Sequence, residues 1–364
     1  MNKLGFGALH FPKKDEEQID FESLNAMVDT YLASGRTFFD TAYTYGNSEW
    51  ALGEALSKRH PRESFQLCTK LPGYQCEKPE DSQRYFEEEL ERCKVEYFDV
   101  YMLHWLNDKN YRIAEKLGQF DFLKKLKAEG KAKRIGFSFH DTADLLDEIL
   151  TAHPEVDCVL MQLNYADWES EAIQAHRCYD TAVRHGVSVM VMEPIKGGTL
   201  STLPEKAAQM LAQIDPESTP SAMALRFVES LPGVEIVLSG MSSLQQIEEN
   251  VRSRKELTEA EREAMLRVAE EINSETEIKC SGCGYCLKGC PQNICIPNYF
   301  RMYNEVKRAP GDGWKITPAY DRAIQTHGKA SECIACGQCE AHCPQKLPII
   351  DNLKKVAEEF EKKE

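Results

Sequence analysis

Residues 65–104 read FQLCTKLPGYQCEKPEDSQRYFEEELERCKVEYFDVYMLH. Two short apolar runs, FQLCTK (65–70) and FDVYMLH (98–104), flank SQRYFEEELERCKVE (82–96), whose apolar residues recur at helical spacing. This is a strand–helix–strand unit, and it repeats along the chain. Further strand candidates are LGFGAL (4–9), TFFDTA (37–42), RIGFSF (134–139), CVLMQLNY (158–165), SVMVME (188–193) and EIVLSG (235–240). Helical patterns fill the gaps, among them FESLNAMVDTYLASG, FDFLKKLKAEGK and PSAMALRFVESLPG, the last stopped by Leu-Pro-Gly. Eight strand–helix units within residues 4–240 predict an α/β fold, a (β/α)8 TIM barrel. A doubly wound open sheet is the alternative, but no G-x-G-x-x-G follows the first strand.

The chain has 364 residues, enough for one large and one small domain. Hydrophobic residues make up 42% and charged residues 28%, which allows a full core. No apolar run reaches membrane-spanning length, and the N-terminus turns charged too early for a secretory signal, so a cytoplasmic location is expected. The net charge of −15 is uneven. Residues 1–275 hold 31 Lys and Arg against 48 Asp and Glu, or −17, and residues 276–364 hold 13 against 11, or +2. The acidic larger part argues against a nucleic-acid partner, which needs cations to displace counterions.

The 14 cysteines concentrate in the smaller part. Cys280-x2-Cys283-x2-Cys286-x3-Cys290-Pro291 and Cys333-x2-Cys336-x2-Cys339-x3-Cys343-Pro344 both follow C-x2-C-x2-C-x3-C-P. That spacing wraps three corners of a [4Fe–4S] cubane and aims the fourth cysteine at the other cluster. The expected sets are Cys280, Cys283, Cys286 with Cys343, and Cys333, Cys336, Cys339 with Cys290. Zinc is the plain alternative for a lone C-x2-C, but these two runs lack zinc-ribbon spacing. The 42 residues between the runs carry two helical patterns, IPNYFRMYNEVKRA (296–309) and ITPAYDRAIQTHGKA (316–330). The part therefore resembles a small α-helical ferredoxin-like domain rather than the compact βαβ type. Domain limits of 1–275 for the barrel and 276–364 for the two-cluster domain follow, with the helical stretch 256–278 as connector. Cys295 lies outside the pattern and reads as a packing thiol, as do Cys68, Cys93, Cys158 and Cys178; Cys76 reads as a loop cysteine.

In a barrel of parallel strands, chemistry gathers at the C-terminal strand ends. There the sequence places Asp40, Lys70 and His104, with Tyr45 in the loop after the second strand. This set suits carbonyl reduction. A tyrosine gives the carbonyl oxygen its proton, and a lysine cation lowers a phenol pKa from its free value of about 10. An aspartate holds the lysine, and a histidine orients the carbonyl or joins the proton relay.

Through FDTAYTYGNSE (39–49), Thr69-Lys70, LHW (103–105), GFS (136–138), MQLNY (161–165), EP (193–194) and SGMSSLQQIEEN (239–250), residues 4–272 resemble the aldo-keto reductase family. The whole chain resembles the subset with a C-terminal ferredoxin-type domain. The resemblance implies a catalytic tetrad of Asp40, Tyr45, Lys70 and His104 and an NADP or NAD cofactor at the barrel mouth. It places Ser138 and Gln162 on the carboxamide, Glu193 among the cofactor contacts, and Ser239, Gly240, Met241, Gln246 and Asn250 at the far end of the dinucleotide. The chain departs from the family at Met192, where many members have an aromatic. It also lacks a cation within 240–246; Arg252 and Arg254 are the next ones.

The implied activity is an oxidoreductase moving hydride between NAD(P)H and an aldehyde or ketone, with two clusters attached. Expected partners are a small carbonyl or alcohol substrate and a redox partner protein, with neither nucleic acid nor membrane. The alternative is an electron-transfer protein whose barrel serves as a redox or docking module for single-electron carriers. Purely structural or oxygen-sensing clusters are a third reading. Clusters pass one electron and nicotinamide passes a hydride, and no flavin motif is visible to join them.

Overall fold

The structure, a computed structural model, describes residues 3–14, 18–170, 173–252, 255–275, 277–308, 317 and 320–361. It divides into two compact units: residues 1–163, 174–194 and 225–257, and residues 164–173, 195–224 and 258–364.

The first unit holds all eight strands: β1 (Leu4–Gly7), β2 (Phe38–Asp40), β3 (Gln66–Leu71), β4 (Phe98–Leu106), β5 (Ala132–Phe139), β6 (Cys158–Gln162), β7 (Ser188–Met192) and β8 (Val234–Gly240). Each pairs in parallel with the next, and β1 pairs with β8 from Leu4↔Val237 to Gly7↔Gly240. The sheet is therefore a closed barrel, and the doubly wound alternative is excluded. Helices form where acids and caps favour them. Asp20 accepts N–H bonds from Glu22 and Ser23 at the start of helix Phe21–Ala33. Helix Glu80–Cys93 opens after Pro79 with Glu80 and Asp81 and ends at left-handed Lys94. Its buried residues Ser82, Tyr85, Phe86, Glu89 and Cys93 form one stripe.

Strand alternation fills the barrel with Phe38, Cys68, Val100, Met102, Cys158, Leu160, Met190 and Leu238. Gly136 shares this interior parity on β5, and a side chain there would fail: its Cβ would stand 2.2 Å from the Cys158 carbonyl oxygen. Stepping two residues on from the interior set reaches Asp40, Lys70, His104 and Gln162. The parity that packs the core thus carries polar groups to the C-terminal edge. At the opposite end, Arg134 on β5 and Glu235 on β8 join through two bonds of 2.8 Å between strands that are not neighbours.

Beneath the strands lie two buried glutamates. Thr69 Oγ1 donates to Glu49 at 2.6 Å, and the Tyr101 hydroxyl donates to Glu89 at 2.5 Å. Burial pushes both carboxyls up, although Arg92 opposes it, and the two repel each other. The second oxygen of Glu89 has no hydrogen-bond partner among the described residues. A carboxyl raised on folding makes the folded state bind more protons, so stability falls as pH climbs from the ordinary glutamate range through the raised value. Glu89→Gln keeps the acceptor for Tyr101 and removes the charge. Between pH 5.5 and 8.5 its melting temperature should fall less than that of the wild type, by a few degrees; identical falls in thermal melts would place the titration elsewhere.

In the second unit, helix Glu205–Ile214 packs on helix Glu259–Glu275, joined by a 2.7 Å Lys206–Glu271 bridge. Lys196 pairs with Asp167 out of solvent, and Asn273 donates to the Ala166 carbonyl at 2.8 Å. The remainder is built on helices Ile296–Arg308 and Ile349–Phe360, whose Tyr299, Phe300, Tyr303, Leu353 and Val356 form a core with Tyr320. The ring of Tyr320 stacks on Phe360 at 4.7 Å. Of the helical pattern at 316–330, residues 316, 318 and 319 lie outside the described residues, as does Ala309 of the preceding one. Among the described residues, no helix is long and apolar enough to cross a membrane.

Candidate active site and cluster-binding unit

Lys70 is fully enclosed at the end of β3. Its Nζ donates to both Asp40 oxygens, at 2.7 and 2.8 Å, and to the Thr41 carbonyl at 2.7 Å. Those three acceptors match the three donors of an ammonium group and fix its position. Burial pushes the Asp40 carboxyl up, while Lys70 pulls it down. Lys70 Nζ lies 5.0 Å from the Tyr45 ring centroid, and the Tyr45 ring meets His104 edge-on at 5.7 Å. Asp40, Tyr45, Lys70 and His104 are therefore one continuous group. Tyr45 is half-exposed, and the other three are buried.

His104 Nδ1 lies 3.3 Å from Thr44 Oγ1. Burial, then Lys70 and His140, hold its imidazole well below the usual histidine range, so it is neutral at physiological pH. Next to it β4 is distorted. Trp105 has φ +60°, and the β4–β5 register shifts between Leu103 and Leu106. A left-handed tryptophan persists only when its surroundings hold it. Ser138 Oγ accepts the Trp105 N–H at 2.7 Å, and Asn110 Nδ2 donates to the Trp105 carbonyl at 2.7 Å. Tyr74 meets Trp105 edge-on at 5.3 Å and His104 at 6.4 Å. Thr41, Thr44, Tyr74, Asn110 and His140 were not singled out from the sequence. Only His140 left a signal there, two residues beyond Ser138 and so on the same strand face.

The remaining expected contacts sit on β5 to β8. Ser138 and Gln162 are buried near the ends of β5 and β6. Glu193 follows β7 with φ +58°. Asn250 Nδ2 donates to buried Ser239 at 3.3 Å, and Met241 is fully enclosed. Gln246 faces the strand end, where its Oε1 accepts the Ser242 N–H at 2.8 Å. Arg252 is exposed, and Arg254 lies outside the described residues. The hydroxyl and amide groups suit a nicotinamide carboxamide and a dinucleotide. Cys76 is buried and burial raises its thiol pKa, which disfavours a reactive thiolate.

In the second unit, Cys280, Cys283, Cys286 and Cys343 line one pocket, and Cys290, Cys333, Cys336 and Cys339 line another. Each pocket takes three thiols from one run and the last thiol of the other, and Ile296 borders both. The Ser281 N–H donates to Gln345 Oε1 at 3.0 Å, which ties the first run to the segment after Cys343. Amides also approach sulfur, with Gly282 N 3.4 Å from Cys280 Sγ and Ile294 N 3.5 Å from Cys290 Sγ. Among the described residues, no three His, Cys, Asp or Glu side chains converge closely enough for one metal ion. Zinc needs its thiolates about 2.3 Å from a single centre. Four thiols spaced around a void fit a polynuclear cluster instead. Cys295 is buried in the helical core and lines neither pocket.

The closed parallel barrel, with its polar groups at the C-terminal edge, defines the class of (β/α)8 enzyme barrels. Residues 3–270 match the model of the aldo/keto reductase family, and residues 279–347 match that of the 4Fe-4S dicluster domain. The chain belongs to the aldo/keto reductase family and is an oxidoreductase with a C-terminal two-cluster iron–sulfur domain. It is 29% identical over 296 residues to the NADH-specific methylglyoxal reductase of Escherichia coli strain K12, an alignment covering 67% of this chain and 88% of that one. It is 34% identical over 178 residues to a probable aldo-keto reductase 1 of Glycine max, covering 46% of this chain and only 49% of the relative. An aldo/keto reductase from Klebsiella pneumoniae, solved with NADP and acetate, superposes with a TM-score of 0.61 at 22% identity, over 73% of this chain and 91% of that one. This last likeness is one of fold.

Proposed function

We propose that this protein reduces an aldehyde or ketone with NADH or NADPH at the barrel mouth, with Tyr45 as the acid. The observation that carries the reading is the fixed Lys70 ammonium, held by Asp40 and Thr41, 5.0 Å from the Tyr45 ring centre. A cation there stabilises the phenolate left when Tyr45 gives its proton to the carbonyl oxygen. Neutral His104 orients that oxygen by hydrogen bonding. Ser138, Gln162 and Glu193 hold the nicotinamide end of the cofactor, and Ser239, Gly240, Met241, Gln246 and Asn250 hold the far end. Bound nicotinamide supplies the hydride. The E. coli and K. pneumoniae relatives name one nicotinamide cofactor each, so both are tested. Anaerobic protein with both clusters loaded should oxidise NADH or NADPH only when a carbonyl compound is added. Failure with a panel of small aldehydes and ketones would end this reading.

The proposed domain limits are 1–275 and 276–364. Each cluster takes three cysteines from one run and the fourth from the other: Cys280, Cys283, Cys286 and Cys343, and Cys333, Cys336, Cys339 and Cys290. The second set favours single-electron exchange with a soluble redox partner protein in the cytoplasm. Cys336 is exposed, and Ile334 beside it is 60% exposed, so that cluster lies near solvent. Dithionite-reduced clusters should be reoxidised rapidly by a small one-electron protein acceptor; slow reoxidation would favour a structural role.

A further inference from the structure

Both cysteine runs end in the same tripeptide, Cys290-Pro291-Gln292 and Cys343-Pro344-Gln345. Each glutamine lines the pocket that receives the cysteine two residues before it. Gln345 stands with Cys343 and three thiols of the first run, and Gln292 with Cys290 and three thiols of the second. Their surroundings differ: Gln292 is half-buried, whereas Gln345 is only 3% exposed. Gln345 Oε1 accepts the Ser281 N–H at 3.0 Å. That bond decides which end of the amide is oxygen, because a backbone N–H needs an acceptor. The position of Nε2 is thereby fixed as well. Nε2 is buried and has no hydrogen-bond partner among the described residues.

An amide nitrogen carries two N–H donors, and leaving both unmet out of solvent costs free energy that an acceptor recovers. Beside the thiols and Ser281, the lining of this pocket is Ile296, Phe300, Leu347 and Ile349 with Gly284 and Pro297, whose side chains accept nothing. The acceptors that remain are the cysteine sulfurs and the sulfides of the cluster they hold. Sulfur already receives an amide here, since Gly282 N lies 3.4 Å from Cys280 Sγ. Reduction adds one negative charge to a cluster, so an N–H on its sulfur favours the reduced form and raises the potential. Burial works in the other direction, because it penalises the added charge. The second pocket includes exposed Cys336, where water can do what a buried donor must do in the first.

We propose that Gln345 Nε2 donates to a sulfur of the cluster held by Cys280, Cys283, Cys286 and Cys343, and that this bond raises the reduction potential of that cluster alone. The inference rests on the crossed ligation and the single-electron reading above. Gln345 ligates no iron. It offsets the cost that burial puts on reducing the first cluster, and so brings its potential towards that of the more exposed one. An electron taken up at the second cluster can then move on to the first.

The test is an anaerobic redox titration of the cluster-loaded protein with dithionite and mediators, read by EPR, in which each cluster takes up one electron. Gln345→Glu keeps an oxygen for the Ser281 N–H and loses the donor. Gln345→Met loses both ends of the amide at similar size. Cys280→Ala combined with Cys343→Ala leaves only the second cluster, and the single midpoint of that protein labels it. In both Gln345 variants the other midpoint should drop by about tenfold in the reduction equilibrium, about 59 mV for one electron. The labelled midpoint should stay, and iron per chain should match the wild type. If both variants lose iron, the wild type decides: 15N confined to glutamine side-chain amides should couple to the spin of the reduced first cluster in pulsed EPR, and no coupling overturns the proposal. With iron intact, a shift of both midpoints or of neither overturns this inference alone. Loss of both clusters from the double cysteine variant overturns it together with the crossed ligation beneath it.

Discussion

Tyr45→Phe should lower kcat/KM for nicotinamide-driven carbonyl reduction by about 10²- to 10⁴-fold, the usual contribution of a positioned acid. The substitution removes only the hydroxyl. The ring keeps its edge contact with His104 at 5.7 Å and its place 5.0 Å from Lys70 Nζ. The Lys70–Asp40–Thr41 group does not depend on the phenol, so the thermal transition should move little. The loss should fall on kcat, because the phenol acts as the oxygen takes on charge rather than in binding. Steady-state kinetics beside a thermal melt check both halves. A loss of only a few-fold would transfer the acid role to His104 or to water.

The second large effect concerns the cysteines. With crossed ligation, Cys280→Ala combined with Cys343→Ala removes two ligands from one cluster and spares the other. Iron per chain should fall by half. Cys333→Ala combined with Cys343→Ala removes a ligand from each cluster, and iron should fall almost completely. Each run keeping its own four ligands reverses the two outcomes, so iron and sulfide analysis of two purified double variants decides. The two pockets, each lined by three thiols of one run and one of the other, motivate the crossed assignment.

Much of the barrel is legible in the sequence, because the physics that sets it is local. Strand positions follow from short apolar runs between helical stripes, and each of the eight predicted runs overlaps a strand of the barrel. Ends were less legible. The run at 158–165 leaves the sheet after Gln162, where Asn164 turns to bond Asp167 through both its oxygen and its amide. The run at 98–104 goes on to Leu106 through left-handed Trp105. No propensity rule predicts a left-handed tryptophan, since its cost is met by specific side-chain contacts, one from Asn110 in the next turn and one from Ser138, which is distant in sequence. Asp40, Lys70 and His104 could be placed at strand ends because period-2 alternation links them to the core residues two positions earlier. His140 is not legible as a site residue, because the fifth strand ends at Phe139 in both the sequence pattern and the structure, and the histidine stands one residue beyond it. The cysteine runs were readable for a different reason. Their spacing is dictated by the geometry of a cubane, and few other folds demand it. The grouping of 164–173 and 195–224 with the C-terminal residues in one compact unit left no mark in composition or periodicity.

The central claim is hydride transfer to a carbonyl at a site built on Tyr45, Lys70, Asp40 and His104. The most direct measurement follows deuterium from reduced nicotinamide labelled at the transferring carbon into the product of 2,3-butanedione reduction, anaerobically and with both clusters loaded. The account predicts one deuterium on the new carbinol carbon for each cofactor oxidised. Oxidation of the cofactor with reduced-cluster EPR signals and an unlabelled product would contradict it.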